Sequence, residues 1–243
     1  MLRSMTRLAA AALLACAAAP IAAAQPVLAA APSATTTTLK PGVSRLNGKS
    51  FAYRSKTIVG RPPVIVLLHP AGGSAEEFLR EFTGKADQRS AILLALQATG
   101  RTWTLKPDGK GSADFGPDPT ALDEALTALF GQAAIDPQRV VILGFSDGAS
   151  YALSLGPANP RLFKGIVALS PGTAWLPAGI DSSQRIAIAH GTKDDVLPYE
   201  NAGDTIVPGL ERAGLKPRTL WFKGDHEIDN RSVEQALDYA LGR

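Results

Sequence analysis

Residues 139–148 read RVVILGFSDG, and their order decides more of the fold than any other stretch. Val140 to Leu143 is apolar without alternation, as a strand buried on both faces must be. Gly144-Phe145-Ser146-Asp147-Gly148 follows at once, and a helical segment runs from Asp147 to about Leu155. Strand and helix with no loop between them force a sharp turn at Ser146. The flanking glycines give such a turn room, and the hydroxyl is carried out past the end of the strand. The plainer reading is that Ser146 only caps a helix and Gly148 is packing space.

Outward from this turn, the same alternation repeats. Strands are expected at Val64–Leu68 (VIVLL), Ala91–Leu96, Gly165–Leu169, Arg185–Ala189 (RIAIA) and Thr219–Phe222. Helical spacing marks Pro119–Phe130, Ile206–Ala213 and Ser232–Leu241. Strands apolar on both faces and separated by helices predict a single α/β domain, doubly wound on a mostly parallel sheet, over residues 46–243. Only 15 residues separate Leu169 from Arg185, too few for a sizeable cap domain. Ligands of such sheets bind beyond the carboxyl ends of the strands, so chemistry is sought there.

The 243 residues are 45% apolar and 19% charged, which excludes collagen-like, coiled-coil and wholly disordered chains. No apolar run reaches the roughly 18–20 residues needed to span a bilayer. Residues 1–24 read as a secretory signal peptide: Arg3 and Arg7, then apolar Leu8–Ala19, then Ala22-Ala23-Ala24 before Gln25. The expected location is therefore secreted or periplasmic. Leu13-Leu14-Ala15-Cys16 also resembles a lipobox, which would make Cys16, the sole cysteine, a lipid anchor of an envelope lipoprotein. Cleavage after Ala24 instead leaves no thiol, so cysteine chemistry drops out either way. Without the leader the chain carries 23 bases against 22 acids and no basic run, so nucleic acid is not an expected partner. Residues 25–45, rich in Ala, Pro and Thr, read as a linker.

A serine hydroxyl needs a base, and the chain offers three histidines. His69 and His190 end strands and are expected as buried imidazoles that tie loops together. His226 lies on the polar loop KGDHE after the last expected strand, where a base is wanted. Asp194 or Asp195, in HGTKDD after RIAIA, would orient that imidazole, with Asp194 preferred. The backbone N–H groups of Asp147 and of Ala71, in His69-Pro70-Ala71-Gly72-Gly73, would bind an oxyanion. Phe145, Trp175 and Tyr199 are candidate walls of a substrate pocket.

Serine, then acid, then histidine is the chain order of the α/β hydrolases. On LLHPAGGSAEEF (67–78), GFSDGASYALSLG (144–156), SPG (170–172), HGTKDDVLP (190–198) and GDHEID (224–229), the chain resembles the phospholipase/carboxylesterase family. More loosely, it resembles secreted polyhydroxybutyrate-depolymerase-like esterases. The resemblance covers most of residues 50–243. It implies a Ser146–Asp194–His226 triad, an oxyanion hole from Ala71 and Asp147, and ester hydrolysis with no metal or cofactor. Pro70, where the family usually has glycine, and Asp195, where it often has proline, depart from the pattern. The expected function is a secreted serine hydrolase acting on small soluble carboxylic esters. The alternatives are an esterase for polyesters or feruloylated polysaccharide, and a silent ligand-binding envelope protein on the same scaffold.

Overall fold

The structure is a computed structural model, and it describes residues 26–108, 113–177 and 180–243. In chain order the strands are β1 (Gly42–Asn47), β2 (Ser50–Arg54), β3 (Val64–Leu68), β4 (Ile92–Leu96), β5 (Lys106–Pro107), β6 (Ala113–Asp114), β7 (Val140–Phe145), β8 (Gly165–Leu169), β9 (Arg185–Gly191) and β10 (Arg218–Phe222). The α-helices are α1 (Ala75–Arg89), α2 (Asp118–Phe130), α3 (Asp147–Ala158), α4 (Val207–Arg212) and α5 (Asn230–Ala240), with a π-helical turn at Asn201–Ile206 leading into α4.

The main sheet has the order β1-β2-β4-β3-β7-β8-β9-β10. From β4 through β3, β7, β8 and β9 to β10 the neighbours run parallel, the β1–β2 hairpin closes one edge antiparallel, and β5 and β6 form a separate two-stranded antiparallel sheet. The chain thus forms the expected mostly parallel α/β fold. Alternation along each central strand builds two cores. Val64, Val66 and Leu68 of β3 face α2 and α3, whereas Ile65 and Leu67 face α1 and α5. That is why VIVLL carries no polar residue: both faces are dry. Among the described residues, no helix or strand stands between β8 and β9.

Helix α1, the β1–β2 hairpin, the β5–β6 pair and the π-helical turn lie outside the expected elements. Helix α1 has Ser74 as N-cap, accepting from the Glu77 N–H, and buries Phe78, Leu79, Phe82 and Ala86 at helical spacing. The β1–β2 hairpin is half-buried and polar on one side, so its apolar signal is weak. The stretch read as a linker lies along the domain from residue 26. Leu28 N–H donates to Asn159 Oδ1 at 2.7 Å, Ala30 N–H to Asp123 Oδ1 at 2.7 Å, and Leu39 N–H to the Gln132 carbonyl at 3.1 Å. β1 begins within it, at Gly42. A segment too poor in large apolar side chains for its own core satisfies its backbone on a core built by others. The expected signal peptide, residues 1–24, falls wholly outside the described residues.

Arg89 joins the two helices on the α1–α5 face. Its buried guanidinium meets Glu234 and Asp238, each at 2.7 Å, and also donates to the Glu234 carbonyl at 3.1 Å. Both carboxylates are partly exposed and are rehydrated when the arginine is removed. Arg89→Ala is therefore expected to cost about 1–3 kcal/mol, between the surface and buried limits for ion pairs. Urea unfolding measures this, and an unchanged midpoint would contradict it.

Candidate active site

Ser146 sits between β7 and α3 with φ 57° and ψ −121°, a conformation that costs a non-glycine residue about 1–3 kcal/mol. Its N–H is anchored on the Leu169 carbonyl of β8 at 2.9 Å. The neighbouring backbone is packed to the limit. A Cβ on Gly144 would lie 2.0 Å from the Gly148 carbonyl oxygen, and one on Gly148 would lie 2.2 Å from that of Leu68. Both glycines are needed for this approach, and Ala149 beyond them is fully buried. The Ser146 side chain makes no capping bond to α3. Its Oγ lies 3.0 Å from His226 Nε2.

His226 stands on the loop after β10, its ring stacked on Phe145 with centroids 4.9 Å apart. Its Nδ1 lies 2.6 Å from Asp194 Oδ2. A carboxylate opposite Nδ1 places the proton there, so the bare Nε2 faces the serine hydroxyl. Asp194 lies on the loop after β9, and its other oxygen accepts from the N–H groups of Val196 (3.1 Å) and Leu197 (2.8 Å). Burial pushes this carboxyl up, but the hydrogen bonds from His226 and Leu197 and the charges of His226 and His190 outweigh it and hold the group below the usual range. Asp195, the other candidate acid, is exposed. The two loops are sewn together by Thr192 N–H on the Phe222 carbonyl (2.8 Å) and Lys193 N–H on that of Gly224 (2.9 Å).

Two backbone donors at this edge of the sheet have no acceptor among the described residues. Asp147 is the first residue of α3, and its N–H has no intrahelical acceptor. In the loop after β3, Gly72 N–H donates to the Arg101 carbonyl (3.0 Å) and Gly73 N–H to that of Pro70 (2.9 Å). Ala71 N–H donates to nothing among the described residues. Pro70 has no N–H of its own, and the donor this loop leaves free is that of Ala71 beside it. His69 holds the loop from beneath. Its Nδ1–H donates to the Pro70 carbonyl at 2.7 Å, and its Nε2 accepts from Ala98 N–H at 3.1 Å. Burial lowers its pKa, in keeping with a neutral structural ring.

A cavity of about 350 Å³ opens beside Asp147, walled by Trp103, Leu105, Thr173 and Leu197. This is within the size range of small-molecule sites. The three aromatic candidates lie elsewhere. Phe145 supports His226, Tyr199 packs its edge on Trp221 (5.0 Å), and Trp175 holds its backbone N–H on Ser154 Oγ (2.9 Å). The residues missed belong to the loop after β4. Thr102 Oγ1 donates to Asp147 Oδ2 at 2.8 Å, and Trp103 Nε1 to the His69 carbonyl at 2.8 Å. Buried Asp118 fixes that loop by accepting from Thr99 N–H (2.8 Å) and Thr104 N–H (3.1 Å). The rule that ligands bind beyond strand carboxyl ends points to this loop too.

Against known proteins, the sequence profile of the phospholipase/carboxylesterase family matches residues 104–240. A putative esterase, NocK, of Nocardia uniformis subsp. tsuyamanensis is 31% identical over 200 residues, 76% of this chain and 56% of that protein. An acetylxylan esterase of Coprinopsis cinerea is 30% identical over 124 residues, 49% of this chain and 33% of its own length. The chain thus spans about half of the first relative and a third of the second. Among solved structures, esterase PE8 superposes with a TM-score of 0.62 at 22% identity, covering 77% of this chain and 95% of that one, which shows the fold.

The Asp194 carboxyl also makes stability pH-dependent. A folded value held below the ordinary 3.8 adds stability that is complete above that value and fades as pH falls through the lower one. Asp194→Asn should therefore remove part of the acid-side loss of melting temperature between about pH 5 and 3. Parallel melting curves for both proteins across that range would contradict the assignment.

Proposed function

We propose that this chain, which belongs to the phospholipase/carboxylesterase family, is a serine esterase working through Ser146, His226 and Asp194. The observation that carries the reading is the unbroken line from Ser146 Oγ to His226 Nε2 (3.0 Å) and from Nδ1 to Asp194 Oδ2 (2.6 Å). Ser146 attacks the ester carbonyl while Nε2 takes its proton. The tetrahedral oxyanion lies against the N–H groups of Ala71 and Asp147, an arrangement in which one donor is worth about 3–4 kcal/mol. His226, charged and steadied by Asp194, then gives the proton to the leaving alcohol. Water, activated by the same imidazole, attacks the acyl-serine and releases the acid.

The cavity beside Asp147 suits a small acyl or alcohol group. The acetylxylan esterase among the relatives favours a second reading, in which the ester is carried on a polysaccharide. Release of acetate from acetylated xylan, compared with hydrolysis of p-nitrophenyl acetate, separates the two. We also propose export, with cleavage after Ala24. Amino-terminal sequencing of protein from the producing cells should begin at Gln25, and a lipidated Cys16 at the terminus would replace this with anchoring.

Ser146→Ala should lower kcat on p-nitrophenyl acetate by about 10³-fold or more. A fluorophosphonate should add once, at Ser146. Folded protein left unmodified there, or a Ser146→Ala variant with full turnover, would return the chain to the class of silent binders.

A further inference from the structure

Asp194 is met by two imidazoles, and the proposed mechanism uses only one. His190, near the end of β9, is fully buried, and its Nε2 lies 3.1 Å from Asp194 Oδ2 and 2.8 Å from the Leu197 carbonyl. Both neighbours are acceptors, so the ring proton sits on Nε2; its hydrogen bond goes to the Leu197 carbonyl, with the Asp194 oxygen in close polar contact beside it. Nδ1 is buried and has no hydrogen-bond partner. Leu197 closes a ring of bonds, its N–H donating to Asp194 Oδ1 at 2.8 Å while its carbonyl accepts from His190. Oδ2, the oxygen that receives His226, therefore also has the His190 Nε2–H group 3.1 Å away, on the strand side.

We propose that His190 is a positioning residue for the reaction, holding the Asp194 carboxylate in register with His226 and drawing charge from the oxygen they share. The inference rests on the reading of Ser146, His226 and Asp194 as the reacting groups. The first effect is geometric: His190 fixes the Leu197 carbonyl, Leu197 N–H fixes Oδ1, and the carboxylate is thereby kept facing His226 Nδ1. The second is electrostatic. The positive end of the His190 Nε2–H dipole beside Oδ2 competes with His226 for the charge of the carboxylate.

Few other groups face this pair. Tyr199 and His190 meet edge to face with ring centroids 6.2 Å apart, and Trp221 of β10 lies beside His190 in register. Lys193 and Asp195 flank Asp194 on the exposed side of its loop, and Asp225 and Glu227 flank His226. From β7 and α3, His226 faces Ser146 and the Phe145 ring.

The test is the pH profile of kcat/KM on p-nitrophenyl acetate for wild type, His190→Phe and His190→Gln. Phenylalanine fills the space without a donor, and the glutamine amide nitrogen stands where Nε2 does. For His190→Phe, kcat should fall about 10-fold and the acid limb should move up by about 0.5–1 pH unit. His190→Gln should restore the limb to near its wild-type position. A folded His190→Phe whose acid limb coincides with wild type would overturn the proposal, as would a glutamine variant no different from the phenylalanine one. Should the substitutions prevent folding, the ¹⁵N spectrum of the wild-type ring decides. Protonation of His190 at Nε2 supports the proposal, and protonation at Nδ1 overturns it. Ser146→Ala is run alongside. If it retains turnover, the reading of the whole site fails and this inference with it. If it is inactive while the His190→Phe profile is unmoved, the inference alone fails.

Discussion

The turn at Ser146 is the constraint on which the rest depends. Three stretches of backbone meet there with no space for a side chain: the end of β7, the start of α3 and the end of β3. Ser146 is held at positive φ between them, tied to β8 by its own N–H. A conformation this unfavourable persists only when the surroundings over-determine it. They do so because β7 is central, paired with β3 and β8 and buried along nearly its whole length. The large apolar core thus offsets a small local strain, and the strain aims one hydroxyl at the sheet edge.

That edge is organised by imidazoles, one to a loop. His69 ends β3 and holds the loop that keeps Ala71 N–H open. His190 ends β9 and holds the loop of Asp194. His226 follows β10 and faces the serine. The first two are fully buried, bonded to backbone and closed to substrate, whereas the third is partly exposed. Burial therefore separates two supporting imidazoles from the one proposed to react. The same division separates Asp118 and Asp194, which accept backbone N–H groups out of water, from Asp195, which stays in it.

Where a segment's own residues dictate its structure, the sequence was a sufficient guide. The central strands, apolar on both faces, read directly as strands, and the glycines of GFSDG announced the turn. His226 and Asp194 were legible because few residues can serve as base or acid and because topology sends them to one edge. Elements that borrow stability from elsewhere were not legible. Residues 26–39 have no core of their own, and the hairpin edge shows only a weak alternation. The cavity walls at Trp103 and Leu197 depend on how loops fold back, which no local pattern encodes. The pairing of His190 with the oxygen already used by His226 is a matter of tenths of an ångström, and spacing along a chain does not carry that.

The central claim is that the turn delivers the Ser146 hydroxyl to a His226 ring kept ready to accept its proton. Nitrogen-15 spectroscopy of the His226 side chain near neutral pH tests this without substrate. The account requires a proton on Nδ1, strongly deshielded by Asp194, and a bare Nε2. A ring protonated at Nε2, with Nδ1 unprotonated, would contradict it.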